Sequence, residues 1–147
     1  MRLALDPTLD PTDYSYSHAI RVRFAETDAM GIVHHASYLP YLEEARVAFL
    51  REIGHPYLSV RDEGVDFTVL EVFVRYMQAL RFDDVIDVHV MVGAATRATF
   101  QVGYLLAIGD VAHATAVTVH GCVTLERKPA RLPGWVPGLV DEINASR

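Results

Sequence analysis

From residue 18 to residue 125 the chain alternates apolar and polar positions, with one long interruption at helical spacing. Residues 18–25 place Ile20, Val22 and Phe24 on one face and Arg21 and Arg23 on the other, the pattern of a half-exposed strand. Residues 26–38 show no clean period. From 37 to 53 the apolar positions Tyr38, Leu42, Ala45, Phe49 and Ile53 step by three or four, while Glu43, Glu44, Arg46, Arg51 and Glu52 fall mostly off that stripe. The spacing predicts a helix that Gly54 and Pro56 stop and Ser37 caps.

Beyond the helix the pattern returns to strands. Residues 66–80 are rich in Val, Phe, Thr and Tyr. Residues 85–92 set Ile86, Val88, Val90 and Val92 against Asp87, His89 and Met91. Residues 98–107 align Phe100, Val102, Tyr104 and Leu106, and 111–125 carry Val111, Val117, Val119, Val123 and Leu125. Gly109-Asp110 is a hairpin turn signal, Asp83-Asp84 has turn chemistry, and Pro129, Pro133 and Pro137 close the sheet. The last ten residues have the composition of a short helix. Residues 1–16, with LDPT at Leu5–Thr8 and again at Leu9–Thr12, predict an extended arm.

One helix of about 17 residues among five or so strands implies an α+β fold, with an antiparallel sheet wrapped around a single long helix. The expected layout is an arm at 1–16, the folded domain at 17–133 and a tail at 134–147. The sheet's other face and its edges are expected to lie open, so partner subunits are expected.

Composition narrows the function more than the fold. At 147 residues the chain suits one domain. Its formal net charge of −6 argues against general nucleic-acid binding, which depends on neutralising phosphates. No apolar run reaches the roughly 18–20 residues of a membrane span, and the acidic start has no signal-peptide core. A single cysteine, Cys122, permits no internal disulfide and lies in an apolar stretch, as a buried thiol would. The expected setting is the cytoplasm. Nucleophile-elbow, dinucleotide and P-loop motifs are absent, and the histidines lack metal-ligand spacing, so no cofactor or metal is expected.

The segment with chemistry is Thr27-Asp28-Ala29-Met30-Gly31-Ile32-Val33-His34-His35, between a strand end and the helix start. Gly31 permits a sharp turn and a close backbone approach. A helix start presents unpaired N–H groups able to hold a polarised carbonyl oxygen. A carboxylate beside them can attack the carbonyl carbon or activate water. Asp is equally at home capping a turn, so the residue type leaves both roles open. His34 or His35 can donate to a substrate or position water. Of Glu43 and Glu44, one is expected to face solvent and the other to turn inward near Arg46. His89, His113 and His120 are taken as ordinary strand residues.

The stretch V-R-F-A-E-T-D-A-M-G-I-V-H-H-A-S-Y-L-P-Y-L-E-E-A-R resembles the 4-hydroxybenzoyl-CoA thioesterase-like family of hotdog proteins, closest to the branch with the Tol–Pal-associated acyl-CoA thioesterase. Weaker matches follow at Phe82-Asp83-Asp84 and at Lys128 to Pro133, so the likeness covers residues 18 to 133. The resemblance implies the hotdog fold, with Asp28 as the catalytic aspartate, His35 as the active-site histidine, and the His35 backbone N–H polarising the thioester carbonyl. It implies a structural role for Glu43. It implies substrate contacts from Phe24, Gly31, Ile32, Val33 and His34, although the branch has tyrosine where Phe24 stands. It also implies a homodimer, often doubled to a homotetramer, with acyl-CoA bound at the subunit interface and its phosphates held by cations. Arg75, Arg97, Lys128 and Arg131 are the candidates. The expected activity is hydrolysis of an acyl-CoA thioester. The alternatives are a hotdog hydratase or dehydratase, for which the motif spacing is wrong, and a non-catalytic acyl-CoA-binding module.

Overall fold

The computed structural model describes residues 3–145. Met1, Arg2, Ser146 and Arg147, the ends of the expected arm and tail, lie outside the described residues. Five strands form one antiparallel sheet: β1 (Tyr16–Arg21), β2 (Val65–Tyr76), β3 (Val85–Ala95), β4 (Thr99–Ile108) and β5 (Val111–Thr124). Their order is β1-β3-β4-β5-β2, so β1 and β2 are the edges. The long helix α1 (Tyr38–Glu52) lies along one face, with a short α2 (Tyr57–Asp62) and a C-terminal α3 (Trp135–Ala145). This is the hotdog arrangement expected from the alternation of apolar positions.

The inner face carries Ile86, Val88, Val90 and Val92 of β3, Phe100, Val102, Tyr104 and Leu106 of β4, and Ala114, Ala116 and Cys122 of β5. They pack against Tyr38, Tyr41, Leu42, Ala45 and Phe49 of α1. Burying apolar side chains of this size contributes about 1.5–3 kcal/mol each, which fixes α1 on the sheet. Cys122 is buried there, and burial raises its thiol pKa. The Trp135 ring of α3 stacks on His55 at 3.9 Å.

Several expectations need correcting. The first strand ends at Arg21: Val22 is still buried, but residues Phe24–Glu26 form a 3-10 turn and Phe24 is 76% exposed. Ser37 is helical and makes no capping bond. A 3-10 turn, His35–Ser37, precedes α1, and His34 Nδ1 caps it by accepting from the Ala36 N–H at 3.1 Å. β2 stops at Tyr76, because Met77 and Gln78 both donate backbone N–H groups to the His113 carbonyl and the chain turns inward to bury Leu80. α2 has no counterpart in the expected elements.

The outer face of the sheet is not open either. Met91, Gln101, Leu105, Val117 and Val119 are buried there. The arm lies over them: the Ala4 and Leu5 N–H groups donate to Gln101 Oε1 at 3.0 and 3.2 Å, and the Tyr14 ring sits 6.1 Å from that of His89. A Cβ on Gly93 would stand 2.3 Å from a Leu5 methyl, so the glycines at 93 and 103 form the hollow that receives Leu5.

Candidate active site

Asp28 stands on the loop between β1 and α1. Its backbone N–H donates to the Ile32 carbonyl at 2.8 Å, and the Gly31 N–H returns to the Asp28 carbonyl at 3.0 Å. Gly31 has φ 78°, a conformation that disfavours any residue with a Cβ. The bridge Thr27–Val33 closes this loop, and Ile32 bridges to Arg81. Asp28 Oδ1 accepts from the Met30 N–H at 2.8 Å and the Ile32 N–H at 3.4 Å. One carboxylate oxygen is thus anchored by backbone amides, while Oδ2 has no partner among the described residues. Asp28 is half-buried. The turn-capping and chemical readings of this residue are compatible, since they use different oxygens.

Asp28, Met30, Ile32, Val33, His35 and Tyr38 line one side of a cavity of about 280 Å³. Tyr76, Met77, Gln78 and Ala79, from the end of β2 onward, line the other. Tyr76 OH donates to the His35 carbonyl at 3.0 Å, and its ring meets Tyr38 edge-on at 4.8 Å. Two of the N–H groups where a carbonyl oxygen was expected to bind are already used: Val33 donates to Leu80 and His34 to Glu26, both at 2.8 Å. The His35 N–H has no acceptor among the described residues.

The other expected substrate contacts divide. Ile32 and Val33 line this cavity, and Gly31 shapes the loop. His34 faces the turn it caps, with its ring 4.2 Å from that of His35. Phe24 packs edge-on against Phe82 at 5.7 Å and does not line the cavity. Arg97 and Arg131 meet at a hollow of about 440 Å³ beside the β3–β4 turn; Arg75 on β2 and Lys128 on the turn after β5 lie apart from it. Glu43 and Glu44 are both exposed, and Glu44 pairs with His18 at 2.8 Å. Among the described residues no group of three or more His, Cys, Asp or Glu is placed to hold a metal ion. No described helix is long and apolar enough to cross a membrane.

Glu26 went unnoticed in the sequence. Its Oε1 accepts from the Arg23 N–H at 2.8 Å and from Tyr41 OH at 2.7 Å, and its Oε2 pairs with the Arg23 guanidinium at 2.8 Å. Burial alone would raise its pKa, but these bonds outweigh it and hold the carboxyl below its usual value. Tyr41 is pushed well up by burial and by the Glu26 charge. Glu26 thereby ties the segment that leads into the Asp28 loop to α1. The sequence signal was a glutamate three residues after Arg23, the spacing at which its side chain reaches back to the Arg23 N–H, half of a capping box.

Residues 22–140 match the pattern of the thioesterase-like superfamily. A protein of Aquifex aeolicus (strain VF5) is 42% identical over 113 residues, 77% of this chain and 88% of its own length. The YbgC protein of Haemophilus influenzae, named an acyl-CoA thioesterase, is 30% identical over 123 residues, 82% of this chain and 90% of its own. The crystal structure of the hypothetical protein AQ1494 from Aquifex aeolicus superposes with a TM-score of 0.80 at 39% identity, covering 86% of this chain and 99% of that one.

Proposed function

This chain belongs to the thioesterase-like superfamily, and from that premise we propose that it hydrolyses an acyl-CoA thioester to a free acid and CoA, with Asp28 as the reacting carboxylate. The supporting observation is the pairing, at one cavity, of a carboxylate anchored through Oδ1 and free at Oδ2 with the unpaired N–H of His35. The thioester carbonyl oxygen accepts from that N–H, which stabilises the negative charge that develops on it. Asp28 Oδ2 then attacks the acyl carbon, the C–S bond breaks to release the CoA thiolate, and water hydrolyses the resulting anhydride. Alternatively Oδ2 takes a proton from a water whose hydroxide adds to the same carbon. The His35 ring, at the edge of the cavity, protonates the leaving thiolate or positions the water. In a single turnover in heavy-oxygen water, label in the Asp28 carboxylate establishes the nucleophile, whereas label confined to the product acid favours the base.

We further propose a homodimer that pairs two β2 edges, with the cavity at the interface. β2 is an edge strand with Val69, Leu70, Val72, Phe73 and Tyr76 each at least 38% exposed, an apolar edge that calls for a covering strand. A tetramer built back to back on the sheets would need the arm to leave the outer face. Arg97 and Arg131, the two candidates that share a hollow, are the proposed CoA-phosphate contacts. A reducing cytoplasm suits the single buried thiol.

The test is a thiol-release screen over saturated acyl-CoAs of increasing length and aryl-CoAs. Free thiol from at least one, with turnover, is the expected result. Release from none would overturn the proposal, and tight binding without turnover would make the chain an acyl-CoA-binding module. Hydratase chemistry would leave the thioester intact.

A further inference from the structure

Beneath α1, away from Asp28, lies a second cavity of about 330 Å³. Its walls are mostly apolar, including Phe49, Phe67, Val92 and Val102, but His120 stands among them at 1% exposure. A chain of hydrogen bonds reaches it. Arg46 Nη1 donates to Tyr104 OH at 3.0 Å, Tyr104 OH and Thr118 Oγ1 are 2.7 Å apart, and Thr118 Oγ1 is 2.7 Å from His120 Nε2.

The direction of this chain follows from its first member. A guanidinium only donates, so the Tyr104 oxygen accepts and its single proton goes on to Thr118. Thr118 then donates to Nε2, leaving the proton of a neutral imidazole on Nδ1. The reverse direction would strand the hydroxyl proton of Tyr104, a residue with 0% exposure. His120 is held neutral: burial, and secondarily the Arg46 charge, pull its pKa down to about 3. Its ring stacks on Phe100 at 4.9 Å, which fixes the plane of the donor. No described residue accepts from Nδ1, so an oriented, buried donor is left at a mostly apolar cavity whose charged lining residues are Glu43 and Arg46.

The cavity opens beside Val69 and Tyr57, on the side where β2 is an edge. The Asp28 cavity lies at the Tyr76 end of that strand, seven residues and roughly 20 Å from Val69, too far for one acyl group to bridge within one chain. Antiparallel pairing of β2 with a second copy reverses the ends and sets the Tyr76 end of one chain beside the Val69 end of the other.

We propose that the cavity beneath α1 receives the acyl part of a thioester held at the Asp28 cavity of a second copy, and that His120 Nδ1–H donates to an oxygen carried by that acyl part. The preferred substrates are then oxygenated acyl groups, bearing a hydroxyl or keto oxygen on an otherwise apolar body. This rests on the thioesterase reading of the Asp28 site. Arg46, Tyr104 and Thr118 are positioning residues that set the tautomer; His120 is the specificity determinant.

The test compares kcat/KM for matched pairs, phenylacetyl-CoA with its ring-hydroxylated isomers and hexanoyl-CoA with 5-oxohexanoyl-CoA. Wild type is expected to favour the oxygenated member of at least one pair by about tenfold or more, the scale of a buried hydrogen bond made to one substrate only. His120→Phe should lose that preference, read as the ratio of kcat/KM within each pair. No preference in any pair, or one that survives His120→Phe, overturns the proposal. Thr118→Val, which keeps the imidazole but frees its tautomer, should weaken the preference and serves where His120→Phe fails to fold. If wild type hydrolyses no thioester at all, the thioesterase reading fails, and His120 is judged by nitrogen NMR alone. A shift of its Nδ1 signal with hydroxyphenylacetate and none with phenylacetate sustains the donor role; equal or absent shifts end it.

Discussion

The two cavities at opposite ends of β2 are held in shape by different parts of the molecule. The Asp28 cavity is built by a loop whose geometry comes from backbone hydrogen bonds between residues 28 and 32 and from a glycine at positive φ. The cavity beneath α1 is built by side chains from three regular elements: Arg46 on α1, Tyr104 on β4, and Thr118 and His120 on β5. The first is half-open and keeps a carboxylate oxygen available. The second is mostly apolar and keeps a buried imidazole in one orientation.

Acid should separate the two most strongly. Unfolded His120 takes up a proton near its ordinary pKa of 6.5, whereas the folded chain resists until about 3. Between those values the unfolded state binds more protons, so stability falls as pH falls. The loss is roughly 3 kcal/mol from pH 6.5 to about pH 4. His89, whose pKa burial also lowers, adds in the same direction. Glu26 contributes stability that is present above its usual 4.5 and is lost only as pH falls below that value toward its depressed folded pKa. Denaturant unfolding at stepped pH should therefore show a decline already above pH 4.5, flattened in His120→Phe. A wild-type curve level from pH 6.5 to 4.5 would count against a neutral buried imidazole.

Tyr104→Phe removes the middle of the hydrogen-bond chain. It leaves Arg46 and Thr118 short of a partner beneath α1, and should cost about 1–3 kcal/mol in denaturant unfolding with the Asp28 loop untouched. A loss below ~0.5 kcal/mol would mean that water replaces the hydroxyl and that the inner cavity is wetter than its lining implies. Gly31→Ala tests the other cavity. A Cβ there meets nothing within 4 Å, so only the φ of 78° opposes it, and the cost should be about 1 kcal/mol. Its effect should appear in thiol release more than in the unfolding midpoint.

The same contrast explains what could be foreseen. Asp28 and His35 lie seven residues apart in one loop, and their setting between a strand and a helix was readable from local pattern. Arg46 and Tyr104 are 58 positions apart, and His120 looks like any strand residue until β5 is seen to turn its even positions inward. The strands β3, β4 and β5 and the helix α1 were legible because each carries an apolar stripe at its own period facing the core, although β4 and β5 are buried on both faces. β1 was extended too far because Val22 and Phe24 continue the alternation while Glu26 pulls the backbone into a 3-10 turn. α2 was missed because six residues make fewer than two turns, too few for a period to show. The buried outer face was missed because Leu5 needs partners, Gly93 and Gly103, that become a hollow only in the folded sheet.

The most direct test of the central claim is turnover by Asp28→Asn on whichever acyl-CoA the wild type hydrolyses fastest. Asparagine keeps the oxygen that accepts from Met30 and Ile32, so the loop and the unfolding midpoint should be preserved. The expected result is a kcat at least ~100-fold lower, because the free carboxylate oxygen is gone. A variant that folds normally and turns over within a few-fold of wild type would contradict the account.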